Sequence, residues 1–562
     1  MKVMTGRDAL LDILEDEGID HIFGNPGTTE LPLMDALVER PNLNYVLALQ
    51  ESVGMAMADG FSRASGKLCA ANFHVAPGLG NALGAIYNAK FIGSPVLVTA
   101  GQRDHGHGLT EPLLGGNLVE MAKPVVKWAT EVEQVQDLPI VMRRAAKLAL
   151  TPPTGPVFVS LPRDVLLDSA EMELGSPTRL VSGSRPADEV LERLAERLLA
   201  SENPVIISAQ EVCFEDALAE LGEVSELIGA PVYTQTVPCL AMFPSDHPHF
   251  MGELGKAPAK VRALLDSYDM AFMVGGDGLR FSAPFPGGPL PPGMPLIQLG
   301  LEDWALGKNY PSELAIKAGV KETLRALIPV LEAKRNDHQA DAVQARSARI
   351  RSNNWSVACA EFMSKTEGLS VSKPIMADYL MMQIAKELPE DAVVVEEALT
   401  SSANLLKMLP VKDNRRFYGL ASGGIGWAVA GAIGVQLAQP DRPVVAVIGD
   451  GSSMYSIQAL WTAAHLNLPI KFIIANNRSY SILKGRVINL PNSASRAKQQ
   501  IIGMDFNNPE LDFPAMARSM GVNSYQVSEP DDIVPAIRKA MAEDGPVLLD
   551  VLIHDGYQSA DF

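Results

Sequence analysis

The sequence predicts an α/β protein made of three doubly wound parallel-sheet domains. Short apolar, β-branched runs alternate with amphipathic stretches along the chain, which is the rhythm of repeated βα units. Several of these runs, such as Val444–Ile448, are apolar at consecutive positions, as strands covered on both faces are. The chain has 562 residues, 47% hydrophobic and 20% charged, an ordinary globular composition. That is too much chain for one core and enough for about three.

In order, residues 6–17 read as a helix, Asp20–Phe23 as a short strand and Asn25-Pro26-Gly27 as the turn at its end. A strand over 45–49 leads into a helix from about Ser52 to Ala64, then a strand ending near Phe73. Pro77-Gly78-Leu79-Gly80 reads as a glycine-rich turn opening a helix over NALGAIYNAKF, and SPVLVTAG at 94–101 as a buried strand. The first domain is expected to span 1–168. Residues 169–187, rich in Ser, Gly and Pro, read as a linker. The second domain, 188–335, opens with the amphipathic DEVLERLAERLLA and continues through the strand-like PVIIS, DMAFMVGG and MPLIQLG. Residues 334–356 form a polar connector, a solvated helix or loop. The third domain, 370–562, starts around the strand AVVVEEA. The first and third domains share the same βα rhythm without a close sequence repeat.

A net charge of −19 excludes a nucleic-acid groove or an anionic membrane surface as the expected partner. Cys69, Cys213, Cys239 and Cys359 are scattered without CxxC spacing, so neither a disulfide framework nor a zinc site is indicated, and a reduced, cytoplasmic setting is expected. The N-terminal stretch reads as an acidic amphipathic helix, not a signal peptide. No apolar run approaches the roughly eighteen residues of a membrane span.

Chemistry concentrates in Val444–Leu483. The strand at 444–448 breaks at Gly449-Asp450-Gly451-Ser452, a helical pattern through Ile457, Leu460 and Ala464 follows, and a second strand, Lys471–Ala475, ends in Asn476-Asn477. Asp450 and Asn477 therefore stand past the carboxyl ends of neighbouring strands, where open α/β sheets bind ligands. A carboxylate, an amide oxygen and a main-chain carbonyl suit Mg²⁺, which takes its remaining ligands from phosphate and water. Gly451 and Ser452 can offer N–H groups to phosphate oxygens.

GDGSSMYSIQALWTAAHLNLPIKFIIANN resembles the thiamine diphosphate motif, GDG followed by about thirty residues ending in NN. The resemblance is to the decarboxylase/carboligase superfamily and within it to the benzoylformate decarboxylases. It runs from FGNPGTTELP to GPVLLDV and is weakest in the middle third. It implies pyrimidine-binding, central and diphosphate-binding domains, the cofactors thiamine diphosphate and Mg²⁺, and a homo-oligomer, a dimer of dimers with its active site between chains. A decarboxylase must store the electron pair left when CO₂ departs from a 2-oxo acid, and no side chain can, so a cofactor does.

The resemblance also implies roles for particular residues. Glu51 matches the glutamate that hydrogen-bonds the aminopyrimidine, a partly buried carboxylate able to share a proton with a ring nitrogen. Ile425 matches the apolar residue that bends the cofactor, and Gly423 the residue whose carbonyl takes the pyrimidine amino group. Leu399, Thr400, Gly451, Ser452 and Tyr480 fall where the family wraps the diphosphate, with Leu399 in place of a hydroxylated residue. Pro26 and Asn81 complete the cofactor set. The metal ligands are Asp450, Asn477 and the carbonyl of Ser479. His74 matches an active-site histidine expected to move a proton, and Thr28 stands where a serine contacts the substrate carboxylate.

Departures from that pattern bear on specificity. Ser282 occupies the place of a second catalytic histidine, and a hydroxyl cannot shuttle protons near neutral pH as an imidazole does. Ile482 and Arg486 replace residues that would line an aryl pocket. Arg486 could meet an anionic substrate or be a solvated loop arginine, and His105 and His107 are candidates for the missing proton donor. The expected reaction is decarboxylation of a 2-oxo acid to an aldehyde, with acetolactate synthase-like carboligation as the alternative. No GxGxxG with a downstream acid occupies a first βα turn, so a nicotinamide reading is weak.

Overall fold

The computed structural model describes residues 2–282 and 285–556. It contains three six-stranded sheets in which every pair of neighbouring strands is parallel. The expected α/β class and its three sheets are therefore present. The first sheet runs in space Asn44–Leu47, His21–Gly24, Cys69–Phe73, Val96–Gln102, Val157–Pro162, Ala129–Glu131. The third runs Phe417–Gly419, Val393–Glu397, Val444–Gly449, Lys471–Asn476, Val547–Leu552, Asn523–Val527. In both, the chain's second strand comes first, followed by its first, third, fourth, sixth and fifth. The shared rhythm read from the sequence is thus a shared topology.

The middle sheet differs. Its order is Phe250–Glu253, Val232–Thr234, Pro204–Ser208, Met270–Val274, Leu296–Gly300, Leu314–Lys317, laid down outward from the centre in both directions. In every open sheet of this kind a crevice forms where the winding direction reverses. In the first sheet that point lies between His21–Gly24 and Cys69–Phe73, and in the third between Val393–Glu397 and Val444–Gly449.

Some local expectations are corrected. Pro77–Gly80 is not a turn: it lies in the first turns of a helix spanning Val75–Ile92. Pro77 is tolerated there because the first helical N–H groups have no partner inside the helix. Gly78 allows close packing, since a Cβ would stand 3.2 Å from Glu51 Oε1. The Asp450–Ser453 stretch is likewise a single helical turn rather than a loop. The polar connector contains a helix, Asp337–Arg351, started by a capping box between Asn336 and Gln339. An antiparallel ribbon of Lys2–Thr5 with Ser169–Met172, unforeseen from the sequence, ties the chain's start to the end of its first domain.

The first and third domains meet through two helices, Glu51–Ser65 and Ala428–Ala438, whose backbones touch. A Cβ on Gly434 would sit 1.9 Å from the Met57 carbonyl oxygen, and one on Gly60 would sit 2.2 Å from that of Gly431. Beside this crossing, Arg63 is buried, bonded to both oxygens of Asp59 and to the Gly419 carbonyl, with its guanidinium 4.4 Å from the Trp427 ring centroid. Gly434→Ala is expected to force the helices apart and cost about 1–3 kcal/mol or more, read as a lowered denaturant midpoint.

Candidate active site

The third domain gathers the acid and amide oxygens first. Strands Val444–Gly449 and Lys471–Asn476 are paired with Gly449 opposite Ala475, so the residues after them leave the sheet side by side. Asp450 Oδ2 accepts the Ser479 N–H at 3.2 Å, and Asn477 Oδ1 accepts the same N–H at 3.0 Å. The two side chains therefore converge on one point. The antiparallel bridge between Ser479 and Asp505 uses the Arg478 carbonyl and the Tyr480 N–H, which leaves the Ser479 carbonyl outside it. Asp450 is buried, and loss of water pushes its carboxyl up to about 7 despite bonds from backbone N–H groups. Among the described residues no lysine, arginine or histidine pairs with it. A buried carboxylate without a cation, beside an amide oxygen, is a donor set that fits a hard divalent ion.

Gly451 N–H donates to Asp450 Oδ1 at 2.7 Å, so in this arrangement the carboxylate takes the donor expected to face phosphate. Gly451 must be glycine, since a Cβ would lie 2.4 Å from the Tyr480 ring, which stands edge-on to Phe506. Ser452 is buried on the same turn, and Thr400 is half-buried after the neighbouring strand Val393–Glu397. Leu399 has φ +48°, a left-handed conformation costly for a branched side chain, while its side chain packs on the core. Gly423 is exposed with φ +85°, and Ile425 is half-buried against the same core. The sequence reading missed what holds Ile425: Glu397, fully buried, accepts the N–H groups of Gly426 at 2.5 Å and Ala428 at 2.6 Å. Its burial raises its carboxyl to about 7.

The first domain supplies a second cluster. Gln50 caps the helix that Glu51 opens, and Glu51 Oε2 accepts from Asn81 Nδ2 at 3.0 Å. Pro26 is half-buried and Thr28 exposed on the loop after His21–Gly24. His74 follows Cys69–Phe73 across the crevice and precedes Val75, a β-branched residue at φ +45°. Such strain is retained where surrounding structure imposes it, commonly at functional sites. The His74 ring lies against Gly27, where a Cβ would come within 2.1 Å of it.

Glu30, also missed, organises this half. Its buried carboxylate accepts the N–H groups of Gly27 and Gly101, both at 2.9 Å, the Thr29 hydroxyl at 2.7 Å, and His74 Nδ1 at 2.8 Å. That carboxylate selects the Nδ1–H tautomer and leaves Nε2 as the ring's acceptor nitrogen. The only sequence signal for Glu30 was an acid just before the helix Leu31–Leu37, which reads equally well as a helix-end charge.

Among the described residues, none of Thr28, Glu51, His74 or Asn81 hydrogen-bonds a member of the third-domain cluster. His105 is held by Asp164 at 3.1 Å, with Glu131 at 4.0 Å, and His107 is exposed on the same short helix. Among the described residues neither contacts His74. Ser282 accepts from Arg486 Nη2 at 3.3 Å.

The whole chain matches known proteins in keeping with this geometry. Residues 4–114, 191–327 and 400–551 match the N-terminal TPP binding domain, the central domain and the C-terminal TPP binding domain of thiamine pyrophosphate enzymes. The benzoylformate decarboxylase of Pseudomonas aeruginosa is 32% identical over 97% of this chain and 98% of its own length. The chain belongs to the thiamine pyrophosphate enzyme family. The glyoxylate carboligase of Escherichia coli O157:H7 is 26% identical over 96% of this chain and 92% of its own. The thiamine diphosphate-dependent 4-hydroxybenzoylformate decarboxylase of Rhodococcus jostii RHA1 superposes with a TM-score of 0.86 at 30% identity, covering 98% of this chain and 99% of that one.

For a thiamine pyrophosphate enzyme the Glu30–His74 pair has a testable consequence. Glu30→Gln is expected to lower kcat/KM by about 10- to 100-fold, the range measured where a carboxylate orienting a metal-binding histidine is removed. Cofactor affinity should be retained; titration of cofactor into the variant alongside steady-state rates checks both.

Proposed function

We propose that this protein is a thiamine diphosphate- and Mg²⁺-dependent lyase that decarboxylates a 2-oxo acid to an aldehyde and CO₂. The observation that carries the reading is the convergence of Asp450 Oδ2 and Asn477 Oδ1 on one N–H at two adjacent strand ends. Asp450, Asn477 and the Ser479 carbonyl would hold Mg²⁺. Leu399, Thr400, Gly451, Ser452 and Tyr480 would surround the diphosphate, and Gly423 and Ile425, with Pro26 and Asn81, the rings. Thiamine diphosphate, when bound, supplies the electron sink that decarboxylation needs.

The chain's own residues do the rest. Glu51 holds and exchanges a proton at its carboxylate, steadied by Asn81. His74 moves a proton at Nε2 while Glu30 fixes Nδ1. Thr28 offers a hydroxyl to the substrate carboxylate. Because no hydrogen bond joins the two clusters among the described residues, the reading has a second copy bring Glu51, His74 and Thr28 to Asp450 and Ile425. The reading takes the protein as a homo-oligomer, a dimer of dimers, acting in the cytoplasm. Exposed apolar side chains on both halves, Leu109 and Leu113 on one and Tyr455 and Leu483 on the other, support the pairing.

Carboligation is the second reading, favoured by one observation: Ser282, a hydroxyl bonded to Arg486, stands where the resembled decarboxylases have a second proton-moving histidine. A 2-oxo acid panel with CO₂ and aldehyde both quantified, with and without an acceptor aldehyde, tests the two. CO₂ and aldehyde in equal amounts support decarboxylation. An acyloin or 2-hydroxy-3-oxo acid as main product supports carboligation, and no turnover of any 2-oxo acid overturns both.

A further inference from the structure

Two of the positions where the sequence departs from the benzoylformate decarboxylase pattern, Ser282 in place of a histidine and Arg486 in place of an aryl-pocket residue, lie 204 residues apart and meet in space. Arg486 Nη2 donates to Ser282 Oγ at 3.3 Å, joining the third domain to the second. Arg486 sits on the helix Ser481–Ile488, which begins beside Tyr480 at the metal end of the site. That helix is anchored by buried Lys484, paired with Asp505 at 2.5 Å and Asp555 at 2.6 Å. A rise of about 1.5 Å per residue carries Arg486 about 9 Å past Tyr480 along the axis. Its guanidinium is exposed, and among the described residues no carboxylate pairs with it.

Ser282 also lines a cavity of about 870 Å³ bounded by Lys90, Arg280 and Lys308. There one carboxylate, Asp277, serves two cations, Lys308 at 3.2 Å and Arg280 at 3.7 Å. Glu302 also lines it, so the wall holds three cations against two carboxylates, in a chain of net charge −19. An arginine presents five N–H donors in a planar fork, so bonding Ser282 leaves others for a carboxylate.

Building on the decarboxylase reading, we propose that Arg486, seated by Ser282, makes the enzyme selective for a 2-oxo acid that carries a second anionic group at its far end, a 2-oxo dicarboxylate. The second carboxylate meets Arg486 while the carboxylate lost as CO₂ stays at the Thr28 end. Ser282 is a positioning residue, and Arg486 is the specificity-determining one. An aryl tail would leave the guanidinium desolvated with only the Ser282 hydroxyl and no anion to meet it, which disfavours it.

The test uses the full-length enzyme loaded with Mg²⁺ and thiamine diphosphate, with 2-oxo monocarboxylates and 2-oxo dicarboxylates of matched chain length. CO₂ release gives kcat and KM for wild type, Arg486→Met, Arg486→Lys and Ser282→Ala. Wild type should favour dicarboxylates by about 10- to 100-fold in kcat/KM, the worth of one charge-assisted pair. The ratio should collapse toward one in Arg486→Met, mainly through KM, and return in part in Arg486→Lys. Ser282→Ala should raise the dicarboxylate KM by less. CO₂ from monocarboxylates with no dicarboxylate preference, or a preference that survives Arg486→Met, overturns this proposal and leaves the decarboxylase reading standing. No CO₂ from any 2-oxo acid overturns both.

Discussion

Asp450→Ala is expected to lose Mg²⁺ and thiamine diphosphate together while the domain stays folded. The carboxylate is the only charged group of the proposed ligand set, and the diphosphate carries its own negative charge. Without Asp450, the cation that reconciles that charge with this buried point has one amide and one carbonyl left to hold it. Affinity for the Mg²⁺–cofactor pair should fall by at least about 100-fold, the loss of a charged ligand costing roughly 3 kcal/mol or more. The fold should tolerate the change, because the variant removes a buried carboxyl that has no cationic partner among the described residues.

The same carboxyl sets a pH dependence. With its folded pKa raised to about 7, Asp450 without metal binds a proton that the unfolded chain releases near its ordinary value of 3.8. Its contribution therefore favours the metal-free fold at low pH and is lost as pH rises toward 7. Metal binding requires the ionised form, so Mg²⁺ competes with a proton below about 7. Cofactor-loaded protein should gain more in melting temperature from Mg²⁺ at pH 8 than at pH 6. Equal gains at both pH values, or retention of cofactor by Asp450→Ala, would remove the metal role from this residue.

Glu51→Gln is the second large effect. The amide keeps the size of the side chain and a partner for Asn81 but cannot take or return a proton. Turnover should drop by about 10²–10⁴-fold, the range for removing a positioned acid–base group, while cofactor still binds. Exchange of the reactive ring proton of the bound cofactor with deuterium, followed by NMR after acid quench, separates this from a binding defect. Slow exchange with full occupancy supports the role; wild-type exchange rejects it.

What could be read from the chain alone followed from local physics. Consecutive apolar runs marked the buried strands, and a strand end must be followed by whatever the crevice uses, so Asp450 and Asn477 stood out by position, whereas His74 and Thr28 came from the family resemblance. Helix boundaries near glycines read less well. Pro77–Gly80 looks like a turn because both residue types punctuate chains, yet here it packs a helix start against Glu51.

The supporting carboxylates were not legible. Glu30 draws its partners from Gly27, Thr29, His74 and Gly101, and Glu397 from Gly426 and Ala428, contacts made only once the sheet is assembled. The meeting of Ser282 with Arg486 depends on how two domains dock, which periodicity does not encode.

Acid release of whatever the purified protein carries, with mass spectrometry of the organic fraction and metal analysis of the same sample, tests the central assignment most directly. After incubation with Mg²⁺ and thiamine diphosphate and removal of excess, wild type should yield both in near-equal amounts per chain, and Asp450→Ala should yield neither. A nicotinamide dinucleotide in their place, or thiamine diphosphate retained without any divalent metal, would contradict the account.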